Sequence, residues 1–556
     1  MRLLARALDL LCAIFLAVWI LGGIPWGDRW ILTHGADPRR AALLVAGSMW
    51  MVPWLRERSW ILKACFTFWD KLQEARVRWI VLGFLTVWSI LLGIFQTYAL
   101  RYTLYDVGIY HQVIWNLAHG NGFASTLSST GSYLLDHLSI SYILLVPFFW
   151  LSGSNPATLA VLHALLAWGG VLAWLWLIEQ MDRISPERRN RIAAGVLVFF
   201  ASFESLWANF RWGFHDTALS FFVQSWAFAI WFGAGKTWRM RALSAALLAV
   251  SAFSKEILLL DVGLFFALWG LGFFISNKKP FAVGAGLVSV FLFLGFVAFQ
   301  SVSSPAKKNY FLRYYSYLGD NLGDFLQTAL TRPWVIGQTV GWGALAGYVI
   351  TLLGPFIAMP LLTKWTYPSS AGAPEIQKVP ARLWLLAVLP SVASGALSSW
   401  TPHRSAGFHH VFDIWPVVIL LSVLFLANIP SKRWILAWTY LSLLTISQDP
   451  WGQMREYFNG TRLAGPAREM LARIPNDGWI MADDNVGPWL ARRAEINRFP
   501  ERELFPERCP DYLVFEGRTE EQAQERVAEE LADCTGLYSE SERDEATQWS
   551  VLTKVR

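Results

Sequence analysis

Long uncharged apolar runs alternate with short polar clusters along this chain, and the lengths of the runs set the first expectation. Candidate spans fall at 7–23, 41–55, 79–99, 157–179, 192–209, 217–234, 242–254, 257–275, 281–300, 345–362, 382–398, 411–428 and 433–447. Runs such as WIVLGFLTVWSILLGIF from Trp79 and PFAVGAGLVSVFLFLGFVAF from Pro280 approach the ~20 residues a spanning helix needs. The run ISYILLVPFFWL, residues 140–151, is shorter and predicts a re-entrant or interfacial segment. The N-terminus has a basic start and an apolar core but no clear small-residue cleavage site, so it reads as a first span. The pattern predicts an all-α polytopic membrane bundle of about 11–13 transmembrane helices. Past residue 447 the period changes. WIMADD, EINRFP and DYLVFEG read as short strands around the helix-like VGPWLARR, and TEEQAQERVAEELA reads as a charged helix, which together predict a small C-terminal α/β domain.

Composition agrees with a membrane location. The 556 residues are 54% hydrophobic and only 16% charged, more apolar surface than a soluble fold of this size can hide. Six Lys and Arg between Arg56 and Arg78 place that connection in the cytoplasm by the positive-inside rule. Three regions follow: two helices and a basic connection at 1–78, a membrane body at 79–447 with a first outer loop at 101–139, and a soluble domain at 448–556. If 140–151 does not cross, the parity of spans puts the first outer loop and the C-terminal domain on the outer face. The body is basic and the tail acidic, which argues against nucleic acid as a partner. Cys509 and Cys534 both lie in the tail and can form a disulfide if it is extracytoplasmic; two unpaired thiols are the alternative.

On this topology the polar clusters gather at one face. YDVGIYHQVIWNLAHG places Asp106 after a span. A partly desolvated carboxylate there suits general-base work, and it equally suits the cap of the helix that follows. His111, Trp115 and Asn116 continue that helix as candidates to bind or stack on a substrate. Asp136–His137 and His215–Asp216 are adjacent pairs; across loops Asp106, His137, His215 and Asp216 can converge on a divalent cation or a substrate hydroxyl. Lys255 and Glu256 sit in an otherwise apolar stretch, where ionisable groups face a cavity or pair internally. Lys255 is a candidate phosphate ligand on that basis. Arg313 with Tyr315, and Arg404 with His410, add cations and donors on the same face.

These motifs, in order, resemble a bacterial polytopic membrane family known only as a domain of unknown function and grouped with the GT-C glycosyltransferases. The residues that carry the resemblance are YDVGIYHQVIWNLAHG, Asp136–His137, FHDTAL from Phe214, SKE from Ser254, RYYSYLGD, FHHVFDIWP from Phe408, and IPNDGWIMADDNVGPWLARR with RFP at 498–500. It implies a GT-C-like fold in the bacterial cytoplasmic (inner) membrane. It also implies a sugar donor carried on polyprenyl phosphate, an envelope acceptor, and Asp106 in the place of the loop acid. Two departures stand out: the class often pairs acids in this loop whereas Val107 follows Asp106, and two extra spans precede the body. The residues alone leave open a carrier or flippase for a lipid-linked or anionic substrate, and a non-catalytic envelope scaffold.

Overall fold

The computed structural model describes residues 2–21, 24–26, 29–31, 38–128, 130–182, 184–202, 206–207, 210, 212–234, 237–275, 281–303, 311–349, 381–404, 409–428, 435–436, 438–439, 458, 460–462, 464–501, 504–505, 507–516, 520–544 and 549–555. The expected spans 345–362 and 433–447, and the boundary between body and tail, lie largely outside them.

At the N-terminus the helices Arg2–Leu21, Pro38–Met51, Pro53–Arg58 and Trp60–Leu72 form their own small core around Cys12, Met49, Leu55 and Leu62. A short antiparallel pair, β1 (Ile24–Trp26) and β2 (Arg29–Ile31), lies between the first two. Asp9, fully buried in the first helix, accepts the Ser59 hydroxyl and the Trp60 N–H. A carboxylate at a helix start satisfies orphan N–H groups, so Asp9 ties the first helix to the fourth.

The body is a helical bundle. The helix Ala157–Glu179 is buried along most of its length and packs against Ala75–Tyr98 and Asp216–Ala229. Small residues permit the approach: a Cβ added at Gly170 would meet Phe221 Cε1 at 2.4 Å. Inside this contact the Trp168 indole donates to Ser89 Oγ at 2.9 Å. Among the described residues, Ala75–Tyr98 and Ala157–Glu179 are the two helices long and apolar enough to cross a membrane by themselves. Segment 140–151 folds as a 3-10 turn, Ile140–Leu145, running into the helix Val146–Leu151. Its twelve residues reach about 18–24 Å, short of a ~30 Å hydrocarbon core. Tyr142, Leu145 and Phe149 face inward while Ile143, Leu144, Phe148 and Trp150 are exposed.

The C-terminal domain carries a five-stranded sheet: β3 (Ile480–Ala482), β4 (Ile496–Arg498), β5 (Tyr512–Phe515), β6 (Tyr538–Asp544) and β7 (Trp549–Lys554), in spatial order β4-β3-β5-β7-β6. The first three are parallel; β7 runs antiparallel to both β5 and β6. Alternation divides the sheet's two faces. Met481, Leu513, Phe515 and Leu552 pack with Ala523 and Val527 of the helix Glu520–Glu530 and with Cys534. Ile480, Ala482, Val514 and Val551 share a core with Leu104, Val107, Val113 and Tyr133 of the first outer loop. One face of the sheet thus completes the core of the segment that follows Tyr98. Cys509 and Cys534 are bonded, with their Cα atoms 5.8 Å apart.

Candidate functional site

The site begins where the helix Ala75–Tyr98 ends. Thr103 adopts an extended conformation, and its Oγ1 accepts the Asp106 N–H at 3.3 Å while donating to Asp106 Oδ2 at 2.5 Å. The Thr103 side chain therefore caps this turn, and its hydroxyl also holds the Asp106 carboxylate. Thr103 is the cap, not Asp106, which stands in the first turn of the helix. That turn, Leu104–Gly108, is π-helical and continues into the helix Ile109–Ala118. Gly213, at φ +93°, lets the neighbouring loop pass directly over it; a Cβ there would lie 2.1 Å from Val107 Cγ2. Asp106 is half-buried. Burial pushes its carboxyl up to about 6, with the Thr103 bond opposing that and the nearby Asp484 charge adding to it.

The C-terminal domain covers this turn. Asp484 Oδ1 accepts the Leu104 N–H at 3.1 Å, and its other oxygen lies 3.9 Å from Arg498 Nη1. Arg498 stacks 4.4 Å over the Tyr105 ring and pairs with Glu501, which also accepts the Tyr105 hydroxyl. Further along, Thr126 Oγ1 both donates to Ile496 O at 2.6 Å and accepts the Ile496 N–H at 2.8 Å. The Asn497 amide donates to Thr126 O at 2.7 Å, and the Trp489 indole to Thr97 O at 2.9 Å. Asp484, Arg498 and Glu501 are the site residues that sequence reasoning missed. Their signal was present in MADD and RFP, but nothing in linear spacing couples residue 484 to residue 104.

A second cluster lies within the bundle. His137 Nδ1 is 3.2 Å from Glu256 Oε1, and Glu256 also accepts the Leu138 N–H at 3.2 Å. Lys255 Nζ lies 3.8 Å from Asp413 Oδ2, whose other oxygen accepts the Ser220 hydroxyl. Asp216 lies close enough for its charge to act on His137, Lys255 and Asp413. Lys255 thus stands in an internal ion pair, the alternative that its place in an apolar run also offered. Among the described residues no hydrogen bond or ion pair joins Asp106 to this cluster.

The remaining expected residues do other work. His111 is fully buried, 5.0 Å from the Phe149 ring; burial, reinforced by the Arg492 charge, lowers its pKa to about 3 and keeps it neutral. Asn116 is buried; its amide N–H donates to Ala124 O at 2.8 Å and its Oδ1 accepts the Asn121 amide at 3.1 Å, so it shapes the loop. Trp115 stacks on His119 at 4.0 Å. His215 stands at the N-cap position of the helix Asp216–Ala229 without a side-chain cap bond, and its Nδ1 meets Tyr110 Oη at 3.2 Å. Tyr315 is buried and donates to Ser394 O, while Arg313 is exposed over Tyr314. The backbones of Arg404 and His410 fall in 3-10 turns, but their side chains lie outside the described residues. Asp106, His137, His215 and Asp216 do not converge as a cation site would require. The group of ionisable ligand atoms found together among the described residues is Cys509, Asp533 and Cys534, and its two sulfurs are spent on each other.

Residues 96–372 match the family described as "Predicted membrane protein (DUF2079)", which is the family the motifs resemble. The chain is also similar to ArnT from Cupriavidus metallidurans bound to undecaprenyl phosphate, at 12% identity over 87% of this chain and 99% of that one, with a TM-score of 0.48. The apo form of the same protein gives 14% identity, 87% and 99% coverage, and a TM-score of 0.41. The oligosaccharyltransferase AglB from Archaeoglobus fulgidus, in complex with an inhibitory peptide and a dolichol-phosphate, gives 12% identity, 85% and 74% coverage, and a TM-score of 0.36. No curated protein matches the sequence.

Proposed function

We propose that the chain is a membrane glycosyltransferase of the outer face, moving a sugar from a polyprenyl-phosphate carrier to an acceptor of the cell envelope. The observation that carries this reading is Asp106: a half-buried carboxylate on a rigid first turn, with its pKa raised to about 6. Such a group is ionised at neutral pH yet basic enough to take a proton in a transition state. The acceptor hydroxyl gives its proton to Asp106 as its oxygen attacks the anomeric carbon. The bond from that carbon to the phosphate oxygen breaks on the opposite face, and the polyprenyl phosphate leaves with the electron pair. The disulfide in the C-terminal domain favours an oxidising, extracytoplasmic compartment for the same face.

Transfer from a polyprenyl-phosphate sugar, assayed in proteoliposomes, tests this. Asp106→Asn is expected to lower the rate by 100-fold or more, the usual scale for loss of a general base, without lowering the melting temperature. A variant that transfers at the wild-type rate removes Asp106 from the role. The buried Lys255–Asp413 and His137–Glu256 pairs favour a second reading, a carrier for a lipid-linked substrate, because intramembrane ionisable groups often mark transport paths. Movement of a fluorescent lipid-linked sugar across sealed vesicles without chemical change would select it.

A further inference from the structure

We infer that the C-terminal domain supplies the second carboxylate of this site, Asp484, and that Asp484 acts on Asp106 as a positioning residue. The inference rests on Asp106 being the base proposed above. In the loop itself the expected partner acid is absent, since Val107 follows Asp106. The fold brings one from 380 residues away.

The geometry is specific. Asp484 opens a 3-10 turn immediately after β3, a strand held between β4 and β5, and the Asp483 N–H extends that ladder to Val514 O at 2.9 Å. The carboxylate is therefore placed by the sheet and not by a free loop. It accepts N–H groups from Leu104 and Tyr105, while Thr103 accepts the N–H of Asp106. The orphan donors of this helix start are thus divided between Thr103 and a residue of the other domain. Asp106 follows on the same turn, so two carboxylates share one partly buried place.

A like charge at close range disfavours ionisation and so strengthens Asp106 as a base. Arg498 makes the arrangement durable. Burial raises the Asp484 carboxyl, and Arg498, 3.9 Å away, opposes that together with the Leu104 and Tyr105 N–H groups by favouring its ionised form; Glu501 in turn balances Arg498. Of the described elements packed most closely on the turn, the helix Ile109–Ala118 brings Tyr110 and neutral His111, and Gly487–Leu490 contains no ionisable residue. Docked, the C-terminal domain is half of the site. Undocked, Asp106 would be a weaker base on an open helix end.

Protonation of Asp106 can be read without any substrate. Dicyclohexylcarbodiimide modifies protonated, partly buried carboxyls, and peptide mass spectrometry of the full-length protein in detergent scores the label at Asp106 against pH. Wild type should lose labelling with a midpoint near pH 6. Asp484→Asn keeps an oxygen to accept the Leu104 N–H but removes the charge, so its midpoint should fall by at least about half a pH unit. Asp484→Glu, which restores the charge, should return the midpoint toward wild type. A purely structural role would lower the melting temperature in Asp484→Asn and leave the midpoint unmoved; that result overturns the inference while Asp106 remains the base. A wild-type midpoint near the ordinary carboxylate value overturns the raised basicity of Asp106 and the inference with it. If Asp484→Asn does not fold, Asp484→Ser makes the same charge removal and is scored by the same midpoint.

Discussion

Asp106 shows how one residue can serve two demands. In the first turn it gives its N–H and its carboxylate to the Thr103 cap and so stabilises a helix start; as a half-buried carboxylate it holds its proton more tightly than in water. If it is the base, the transfer rate should rise with pH through about 6, as the carboxyl loses its proton, and this limb should vanish in Asp106→Asn. Stability runs the other way. The folded pKa exceeds the unfolded value of about 3.9, so the folded state binds the extra proton between those values and loses stability as pH rises through about 6. Melting temperatures of wild type and Asp106→Asn between pH 4 and 8 check this: any advantage of the Asn variant should grow with pH and level off above about 7. Lys255 teaches the converse. Its position in an apolar run suggested a ligand for phosphate, but the run did not reveal that Asp413 would meet it 158 positions later in the chain.

At the scale of elements, the turn Leu104–Gly108 depends on neighbours more than on its own propensity. Thr103→Val removes both the cap and the bond to Asp106, and should cost about 1 kcal/mol, read by chemical or thermal unfolding in detergent. Gly213→Ala should cost more, about 2–4 kcal/mol, because φ +93° is strained for alanine and the new methyl would collide with Val107. The strands β3, β4 and β5 were legible as apolar runs bounded by turn residues. β6 and β7 were not. YSESERD offers almost no apolar face, because β6 is the sheet's edge, where charge discourages pairing with other chains. WSVLTK is short and its first four residues are all buried, so it shows no clean alternation.

Across the whole molecule, the C-terminal domain and the first outer loop are stabilised together. The disulfide closes a loop of 25 residues, and Cys534→Ser should cost about 3.5 kcal/mol by the loop-entropy relation. Because one face of the sheet completes the loop's core, that loss should also expose the 104–126 segment. Hydrogen exchange at Leu104 to Thr126 should accelerate in the variant; unchanged protection there would show the two regions to be independent.

Composition and the length of apolar runs determined that this chain is a membrane protein with a small mixed domain at its end. Local pattern also determined that Asp106 begins a helix, because runs, caps and alternation act over a few residues and are written directly in sequence. Only the tertiary structure decided which charges compensate one another. It paired Lys255 with Asp413 and His137 with Glu256, and brought Asp484 to the turn that holds Asp106. The reason is physical: a charge's effect depends on distance and burial, and both are set by packing between segments hundreds of residues apart.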